Sequence, residues 1–214
     1  MLINLSETNN IVSEWLKDIR DISTQNDRMR FRKNIERIGE IIAYEISKEL
    51  NYKKIKIQTP ISETECIILE KQPVLCTILR AGVPLFDGIL NIFDKADCAF
   101  IASYRQHTED GNLGINQQYA TKPSIEGRPL IVADTMLATG SSFIEAIKEL
   151  TKNETPSSLH IVSVISSPQG IENLSKKFPE SYIWVAAIDE GLNDKGYITP
   201  GLGDAGDLCY GKKL

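Results

Sequence analysis

Short apolar runs rich in β-branched residues alternate with helix-compatible segments along most of this 214-residue chain, and this alternation constrains its fold more than any other feature. The runs predicted as strands are 74–79, 97–103, 129–133, 158–165 and 182–188. The segments predicted as helices between them are 83–93, 141–151 and 168–178. Continuous apolar strands are typical of parallel sheets that helices cover on both faces. The sequence therefore predicts an α/β fold with a doubly wound, mainly parallel sheet.

Additional elements precede and interrupt this alternation. Apolar residues predict a helix over about 11–21, and their recurrence every three or four residues from Phe31 to about Leu50 predicts a second. A short strand pair, KKIKIQT and ECIILE, follows. Residues 106–128 are polar and too long for a structureless loop, so a hairpin flap is expected there. The Gly- and Asp-rich segment 189–214 fits no regular element.

Length and composition limit the class of protein. The chain suits one domain over 1–214, and its net charge of −5 opposes broad nucleic-acid binding, which requires a basic surface. Four cysteines without paired spacing and only two histidines oppose a structural zinc site. No signal-peptide pattern and no run of 18 apolar residues occurs, so no membrane span is expected. These features predict a cytoplasmic protein.

Two arginines follow strands of the predicted sheet. Ligands of open parallel sheets bind beyond the carboxyl ends of the strands, so these positions carry the most information. Arg80-Ala81-Gly82 follows strand 74–79, and Tyr104-Arg105 follows strand 97–103. A fixed guanidinium at a strand end suits a phosphate, while an arginine paired with a local acid is the alternative for Arg80.

The stretch LIVADTMLATGSS, residues 130–142, places an acid and a row of small residues between a strand and a helix. Main-chain N–H groups and a helix N-terminus at such a turn can hold a phosphate. No lysine follows Gly140, as a Walker loop would require. A phosphate would repel Asp134, so this carboxylate is expected to accept hydrogen bonds from sugar hydroxyls. The stretch alone therefore predicts a ribose phosphate site.

Four motifs extend this prediction to a family. In chain order, these are TILRAGVPLFDG, the dipeptide YR, VADTMLATGSS and IDEGLNDKGYITPGLGDAGD, and they resemble the motifs of the uracil phosphoribosyltransferases, which are type I phosphoribosyltransferases. The similarity covers nearly the whole chain. It implies the type I fold and the joining of uracil to the ribose carbon of phosphoribosyl diphosphate (PRPP), which gives UMP and diphosphate in pyrimidine salvage.

The resemblance implies a role for each matching residue. Asp134 would hold the ribose hydroxyls, while Arg80 and Arg105 would hold the diphosphate. The remaining PRPP-binding residues would be Thr135, Met136, Leu137, Ala138, Thr139, Gly140, Ser141 and Ser142, the last five holding the 5′-phosphate. The uracil-binding residues would be Tyr197, Ile198, Gly203, Asp204 and Ala205. Asp134, Arg105 and Asp204, which would also lie near PRPP, are the expected catalytic residues.

The resemblance also implies a cofactor and partners. Mg²⁺ would bind mainly through the PRPP diphosphate and water, without a site built wholly from protein ligands. A homo-oligomer, dimer or tetramer, is implied, and GTP is a candidate allosteric activator. No nucleic-acid or membrane partner is expected.

The sequence departs from the family at three places. Thr135 stands where the family usually has proline, and Ser141 stands in place of a glycine, so the Ser141 side chain is expected to point away from the phosphate. The flap segment INQQYATKP matches the family's flap loosely. Its Tyr119 and Lys122 are the nearest counterparts of the family's residues, and no catalytic role is predicted for them.

Other interpretations of these motifs are weaker. Residues 201–206 match GxGxxG, but only eight residues follow, too few for the acid that a dinucleotide site requires. The acidic residues Asp189, Glu190, Asp194 and Asp207 are expected to form a solvated loop rather than a metal site. An RNA-binding regulator on the same fold would need a basic face, and a protein without activity would not need Asp134, Arg80 and Arg105.

Overall fold

A computed structural model describes the backbone of residues 1–107 and 113–213, and the side chains of these residues outside 103–107 and 113–119. The strands are β1 Leu2–Asn4, β2 Tyr52–Gln58, β3 Glu63–Leu69, β4 Val74–Leu79, β5 Asp97–His107, β6 Leu113–Thr121, β7 Pro129–Ala133, β8 Met136–Leu137, β9 Ser158–Ser166, β10 Tyr182–Ile188, β11 Gly191–Leu192 and β12 Ile198–Thr199. The α-helices are α1 Val12–Arg20, α2 Arg28–Ser47, α3 Val83–Ile92, α4 Ser141–Leu150, α5 Pro168–Lys177 and α6 Ala205–Tyr210.

Eight strands form the central sheet, in the order β1-β10-β9-β7-β4-β5-β6, with β8 paired to β9. Each pair is parallel except β5 with β6. From β4 the chain proceeds to β5 on one side, and from β7 it proceeds to β9 and β10 on the other. The predicted doubly wound, mainly parallel fold is confirmed. The strand order reverses between β4 and β7, and a crevice forms at the carboxyl ends of the strands at such a point.

Both faces of the sheet are buried. Leu75 of β4 packs in the core on the side of α1, α2 and α3, whereas Val74 and Cys76 pack in the core on the side of α4 and α5. Successive side chains of a strand point to opposite faces. A strand covered on both faces must therefore be apolar at nearly every position, which explains the continuous apolar runs of the sequence.

Helices α2 and α3 approach each other so closely that a glycine is required between them. A Cβ atom on Gly88 of α3 would clash with the main-chain oxygen of Glu36 in α2. A Cβ atom on Gly39 of α2 would lie 2.5 Å from the oxygen of Leu85. The two glycines thus allow main-chain contact between the helices that support β4.

Several boundaries differ from the sequence-based expectations. Strand β5 continues to His107 and pairs with β6 in the hairpin that was expected as a flap. The segment 189–214 was expected to lack regular elements, and this was wrong, because β11 pairs with β12 and α6 follows. Asp204 caps the short helix α6 by accepting a hydrogen bond from the Asp207 N–H (2.9 Å), and the side chain of Cys209 anchors the helix in the core.

His160 of β9 has a structural role in the core. Its ring is fully buried, accepts a hydrogen bond at Nδ1 from the Trp184 indole N–H (3.2 Å), and lies 3.0 Å from the Ser158 hydroxyl through Nε2. Burial lowers the pKa of His160 to about 4. The neutral ring is therefore a hydrogen-bonded part of the core. In the described part of the chain, no helix is long and apolar enough to cross a membrane.

Substituting Gly88 with alanine tests the importance of the contact between α2 and α3. The added methyl group meets main-chain atoms that cannot rotate away, so we expect a loss of about 3 kcal/mol in the free energy of unfolding. Gly191→Ala is the matched control, because a Cβ atom there has no neighbour within 4 Å. Urea denaturation measures both variants, and equal stabilities would contradict the proposed packing constraint.

Candidate active site

A cavity of about 590 Å³ lies at the reversal point, at the carboxyl ends of β4 and β7. Its walls combine the turn after β4, the turn after β7 and the C-terminal segment. The lining residues are Leu79, Arg80, Ala81, Asp134, Met136, Ala138, Ser142, Lys195, Gly196, Tyr197, Ile198, Asp204, Gly206 and Lys213. Three regions that are distant in sequence, each predicted to bind a different part of one ligand, therefore meet in one cavity.

A second cavity, of about 370 Å³, lies at the opposite edge of the sheet, where β7, β9 and β10 begin. Glu49, Glu70, Lys71 and Tyr182 are among the residues that line it. Neither the turn after β4 nor the turn after β7 lines this second cavity. The cavity at the carboxyl edge is therefore the candidate site.

Arg80 begins the turn after β4 and is joined to Leu79 by a cis peptide bond. Its Nη2 atom lies 3.0 Å from Oδ1 of Asp207, and its side chain is 39% exposed. Arg80 is therefore paired with an acid, as the alternative interpretation expects, and it also lies on the cavity wall. Gly82 lets this turn lie against β7, because a Cβ atom there would come within 2.8 Å of the Ala133 oxygen.

Asp134 directly follows β7 and is partly buried on the cavity wall. Burial raises the pKa of its carboxyl to about 7, although Oδ1 accepts a hydrogen bond from the Thr135 N–H (2.7 Å), which acts in the opposite direction. A carboxylate with few donors gains from any ligand that supplies them. Asp134 is therefore suited to accept hydrogen bonds from hydroxyl groups.

Thr135 connects the two turns. Its side chain is fully buried, and its hydroxyl donates a hydrogen bond of 2.6 Å to the oxygen of Ala81. The Thr135 side chain therefore does not line the cavity but fixes the Arg80 turn against the end of β7. Leu137 is also fully buried, whereas Met136 lines the cavity.

Residues 138–142 form a turn that leads into α4. Gly140 has φ +80°, a conformation that favours glycine, and α4 begins after it without a side-chain cap. The first N–H groups of the helix are thus available to a ligand, apart from that of Ser141, which donates a long hydrogen bond to Oγ1 of Thr139 (3.4 Å). Ser142 lines the cavity, while Ser141 is exposed outside it, with its hydroxyl 3.0 Å from that of Thr139. Ser141 is thus not among the residues that line the cavity, and its orientation relative to a phosphate stays a prediction.

The C-terminal segment forms the facing wall. Tyr197, Ile198 and Asp204 line the cavity, and Tyr197 is half-exposed. Gly203 and Ala205 are not among the lining residues, although their neighbours Asp204 and Gly206 are. The structure thus brings three of the five predicted base-binding residues to the cavity.

A buried ion pair holds this segment in place. Arg20 of α1 donates to Oδ2 of Asp189 (2.9 Å) and to the oxygen of Gly201 (3.0 Å), and Asp189 accepts from the Gly201 N–H (2.8 Å). The expectation that Asp189 and Asp207 belong to a solvated acidic loop was wrong. Asp189 is buried with Arg20, and Asp207 is paired with Arg80.

Some predicted residues lie elsewhere or outside the described side chains. The backbone of Arg105 lies in β5, but its side chain and that of Tyr119 are outside the described side chains. Lys122, at the end of the hairpin, donates to the Leu150 oxygen (2.6 Å) and to Glu154 (2.8 Å). The hydrogen bonds from Lys122 and Ser124 lower the pKa of Glu154 to about 2. Lys122 thus anchors the hairpin to the loop after α4.

Lys195 and Lys213 line the cavity but were not predicted. Both are in the C-terminal segment, where the sequence drew attention to acids and glycines, and no spacing pattern distinguishes them from other exposed lysines. Within the described residues, no group of three or more His, Cys, Asp or Glu could hold a metal ion. Asp134 and Asp204 nevertheless offer two carboxylates to the same cavity, a donor set that fits Mg²⁺ bound largely by substrate oxygens and water.

Replacing Asp134 with asparagine is expected to stabilise the fold. The folded-state pKa of about 7 lies above the ordinary value of 3.8, so ionisation of Asp134 costs folding free energy as the pH rises between these values. We expect a gain of about 1–3 kcal/mol at pH 8 that disappears near pH 4. Denaturant titrations at both values of pH measure it, with the exposed Asp94→Asn as control. A destabilised Asp134→Asn protein at pH 8 would contradict this electrostatic description.

Comparisons with known proteins identify the same family that the motifs around this cavity resemble. A family model described as uracil phosphoribosyltransferase matches residues 6–212. The chain is 44% identical to the uracil phosphoribosyltransferase of Porphyromonas gingivalis, over 100% of this chain and 99% of that protein. It is 41% identical to the uracil phosphoribosyltransferase of Thermococcus sibiricus, over 94% and 86%.

Solved structures show the same fold. The structure of the AQ2163 protein from Aquifex aeolicus superposes with a TM-score of 0.89 at 29% identity, covering 100% of both chains. The TT1426 structure from Thermus thermophilus shares the fold with a TM-score of 0.52 at 12% identity, over 77% of this chain and 86% of that one. The family model over residues 6–212 and the two relatives, of which the chain covers 99% and 86%, show that the chain belongs to the uracil phosphoribosyltransferase family.

Proposed function

We propose that this protein transfers the 5-phosphoribosyl group from PRPP to uracil and releases UMP and diphosphate, as an enzyme of pyrimidine salvage. One observation carries the proposal: Asp134 and the turn 138–142 follow the same strand and face, across one cavity, the segment that carries Tyr197 and Asp204. A ribose phosphate fits the first wall, and a flat base fits the second. The family membership supports uracil as the base.

PRPP would lie along the turns after β4 and β7. The 5′-phosphate would bind the main chain of Ala138, Thr139, Gly140, Ser141 and Ser142 at the start of α4, where N–H groups favour an anion. Asp134 would accept hydrogen bonds from the ribose hydroxyls. Arg80 would bind the diphosphate, and Arg105 would join it. Thr135, Met136 and Leu137 complete the loop and support its path.

Uracil would lie against the C-terminal segment. Ile198 and Tyr197 offer an apolar surface to the ring, and main-chain groups of Gly203, Asp204 and Ala205 would bind its polar edge. The ion pair of Arg20 with Asp189 fixes the Gly201 turn beneath this segment. The base subsite would therefore be held at a constant distance from Asp134.

The reaction requires stabilisation of charge rather than a covalent nucleophile. Departure of diphosphate leaves positive character on the ribose carbon, near the carboxylates of Asp134 and Asp204. Arg80 and Arg105 would stabilise the negative charge of the leaving group. When bound with PRPP, Mg²⁺ would supply further positive charge at the diphosphate. Holding both substrates in one cavity would provide much of the remaining rate enhancement.

A uracil-dependent diphosphate-release assay with PRPP and Mg²⁺ tests the proposal. We expect UMP to form from uracil, and Asp134→Asn to lower turnover about 100-fold, the scale of losing one transition-state contact. Hypoxanthine and orotate are the control substrates, and adding GTP tests for activation. Turnover with either control base but none with uracil would refute the proposal, and wild-type kinetics in Asp134→Asn would refute the ribose role.

The proposal also includes a cytoplasmic location, which agrees with the presence of four free cysteines.

The proposal also includes a homo-oligomer, which the hairpin of β2 and β3 supports. This hairpin forms a separate two-stranded sheet, and an isolated hairpin has little stability of its own. Ile55, Ile57, Cys66 and Ile68 share one face by the register of the pairing, and Ile57 and Ile68 are 36% and 39% exposed. A second copy of the chain would cover this face.

Light scattering coupled to size-exclusion chromatography tests the role of the hairpin. We expect the wild type to elute as a dimer or tetramer and Ile57→Glu/Ile68→Glu to shift toward the 23.9 kDa monomer, because charges would be buried at the interface. Ile22→Glu, at an exposed residue far from the hairpin in sequence, is the control. An unchanged mass in the double variant would contradict this interface.

A further inference from the structure

Helix α5 and its N-cap residue Ser167 bind three successive carbonyl oxygens, those of the last residue of β8 and of the first two residues of the turn that follows it. The Ser167 N–H donates to the oxygen of Leu137 (2.9 Å), and the Ser167 hydroxyl donates to that of Ala138 (2.6 Å). The side-chain amide of Asn173 donates to the oxygen of Thr139 (3.0 Å). The three oxygens that would repel an anion are thus all directed toward α5.

Peptide geometry then determines where the N–H groups point. These peptide bonds are trans, since the cis bonds of the described residues lie elsewhere. In a planar trans peptide the N–H and the preceding C=O point in opposite directions. The N–H groups of Ala138, Thr139 and Gly140 therefore point away from α5. Ala138 lines the cavity and no residue of α5 does, so these N–H groups point to the side of the loop opposite α5, the side on which Ala138 meets the cavity.

The hydrogen bond of Asn173 can be removed by substitution without disturbing α5, whereas those of Ser167 cannot. Ser167 is fully buried and also caps α5, accepting a hydrogen bond from the Gly170 N–H (3.0 Å), so its replacement would disturb the helix. Asn173 is partly exposed on the second turn of α5. Among the described residues, its side chain makes this one hydrogen bond.

We propose that Asn173 is a positioning residue that holds the Thr139–Gly140 peptide with its N–H toward the 5′-phosphate. It acts through the loop and does not itself touch the ligand. The inference rests on the proposed function for the identity of the phosphate. Without the amide, the Thr139 oxygen has no partner in the part of the chain that the structure describes, and the peptide can rotate so that an oxygen replaces the N–H on the ligand side. The consequence is specific to ligands that carry a 5′-phosphate.

Steady-state kinetics of Asn173→Ala and Asn173→Asp test this role. Asn173→Asp keeps the shape of the side chain but replaces the donor with an acceptor, so it remains informative if the alanine variant is unstable. We expect the KM for PRPP and the inhibition constant of UMP to rise about tenfold in both variants. We expect kcat, the KM for uracil and the inhibition constant of diphosphate to stay within twofold.

Glu172→Gln is the matched control, because Glu172 is the exposed neighbour on α5 and, among the residues that the structure describes, is paired only with Lys176. An unchanged KM for PRPP in both Asn173 variants, or equal weakening of UMP and diphosphate, would overturn the inference. If the wild type forms no UMP, the proposed function fails on its own. Calorimetric binding of ribose 5-phosphate then decides: tenfold weaker binding in Asn173→Asp supports the role, and equal or undetectable binding in all proteins overturns it.

Discussion

The parallel pairing of β4 with β7 is the constraint on which the rest of the site depends. The pairing ends at Thr77 beside Ala133, where β7 ends, and β4 continues for two more residues to Leu79, so the chain leaves both strands in the same direction and close together. Because the strand order reverses here, no crossover helix covers the gap between the two turns. The Thr135 hydroxyl donates a hydrogen bond to the Ala81 oxygen and so connects the two turns, and Gly82 allows the turn after β4 to contact the end of β7. A cation and a carboxylate, Arg80 and Asp134, are thereby fixed on one cavity wall.

The charged groups of the cavity are arranged to bind a ligand at a cost to the stability of the fold. Asp134 is partly buried with few donors, and its raised pKa records the cost of keeping it charged. Arg80 is held by Asp207, and α6, which contains Asp207, begins directly after the cavity residue Asp204. The carboxylate of Asp204 thus caps the helix whose next acid orients Arg80. The subsite for the base and the subsite for the diphosphate share one short helix, so their geometry is coupled by the fold itself.

The sequence predicted the architecture well because both faces of the sheet are buried, which leaves a strong signal in every strand. It also predicted that Asp134, Arg80 and the turn 138–142 lie at the strand ends where a ligand would bind, since small and charged residues at strand ends have few structural explanations. It did not predict α6, whose six residues are too short for periodicity, or the burial of Asp189, which depends on Arg20 169 residues earlier. Nor could it predict that Thr135 and Leu137 face the interior, or that Asn173 supports the loop. Such contacts arise from tertiary packing and have no local pattern.

The central claim is that one ribose phosphate joins the two strand-end turns and the C-terminal segment in a single cavity. A crystal structure of the protein with bound UMP tests it most directly. The account predicts the 5′-phosphate on the main chain of residues 138–142, the ribose hydroxyls within hydrogen-bond distance of Asp134, and the base against Tyr197 and Ile198. A phosphate bound instead by Lys195 and Lys213, with Asp134 free of the ribose, would contradict it.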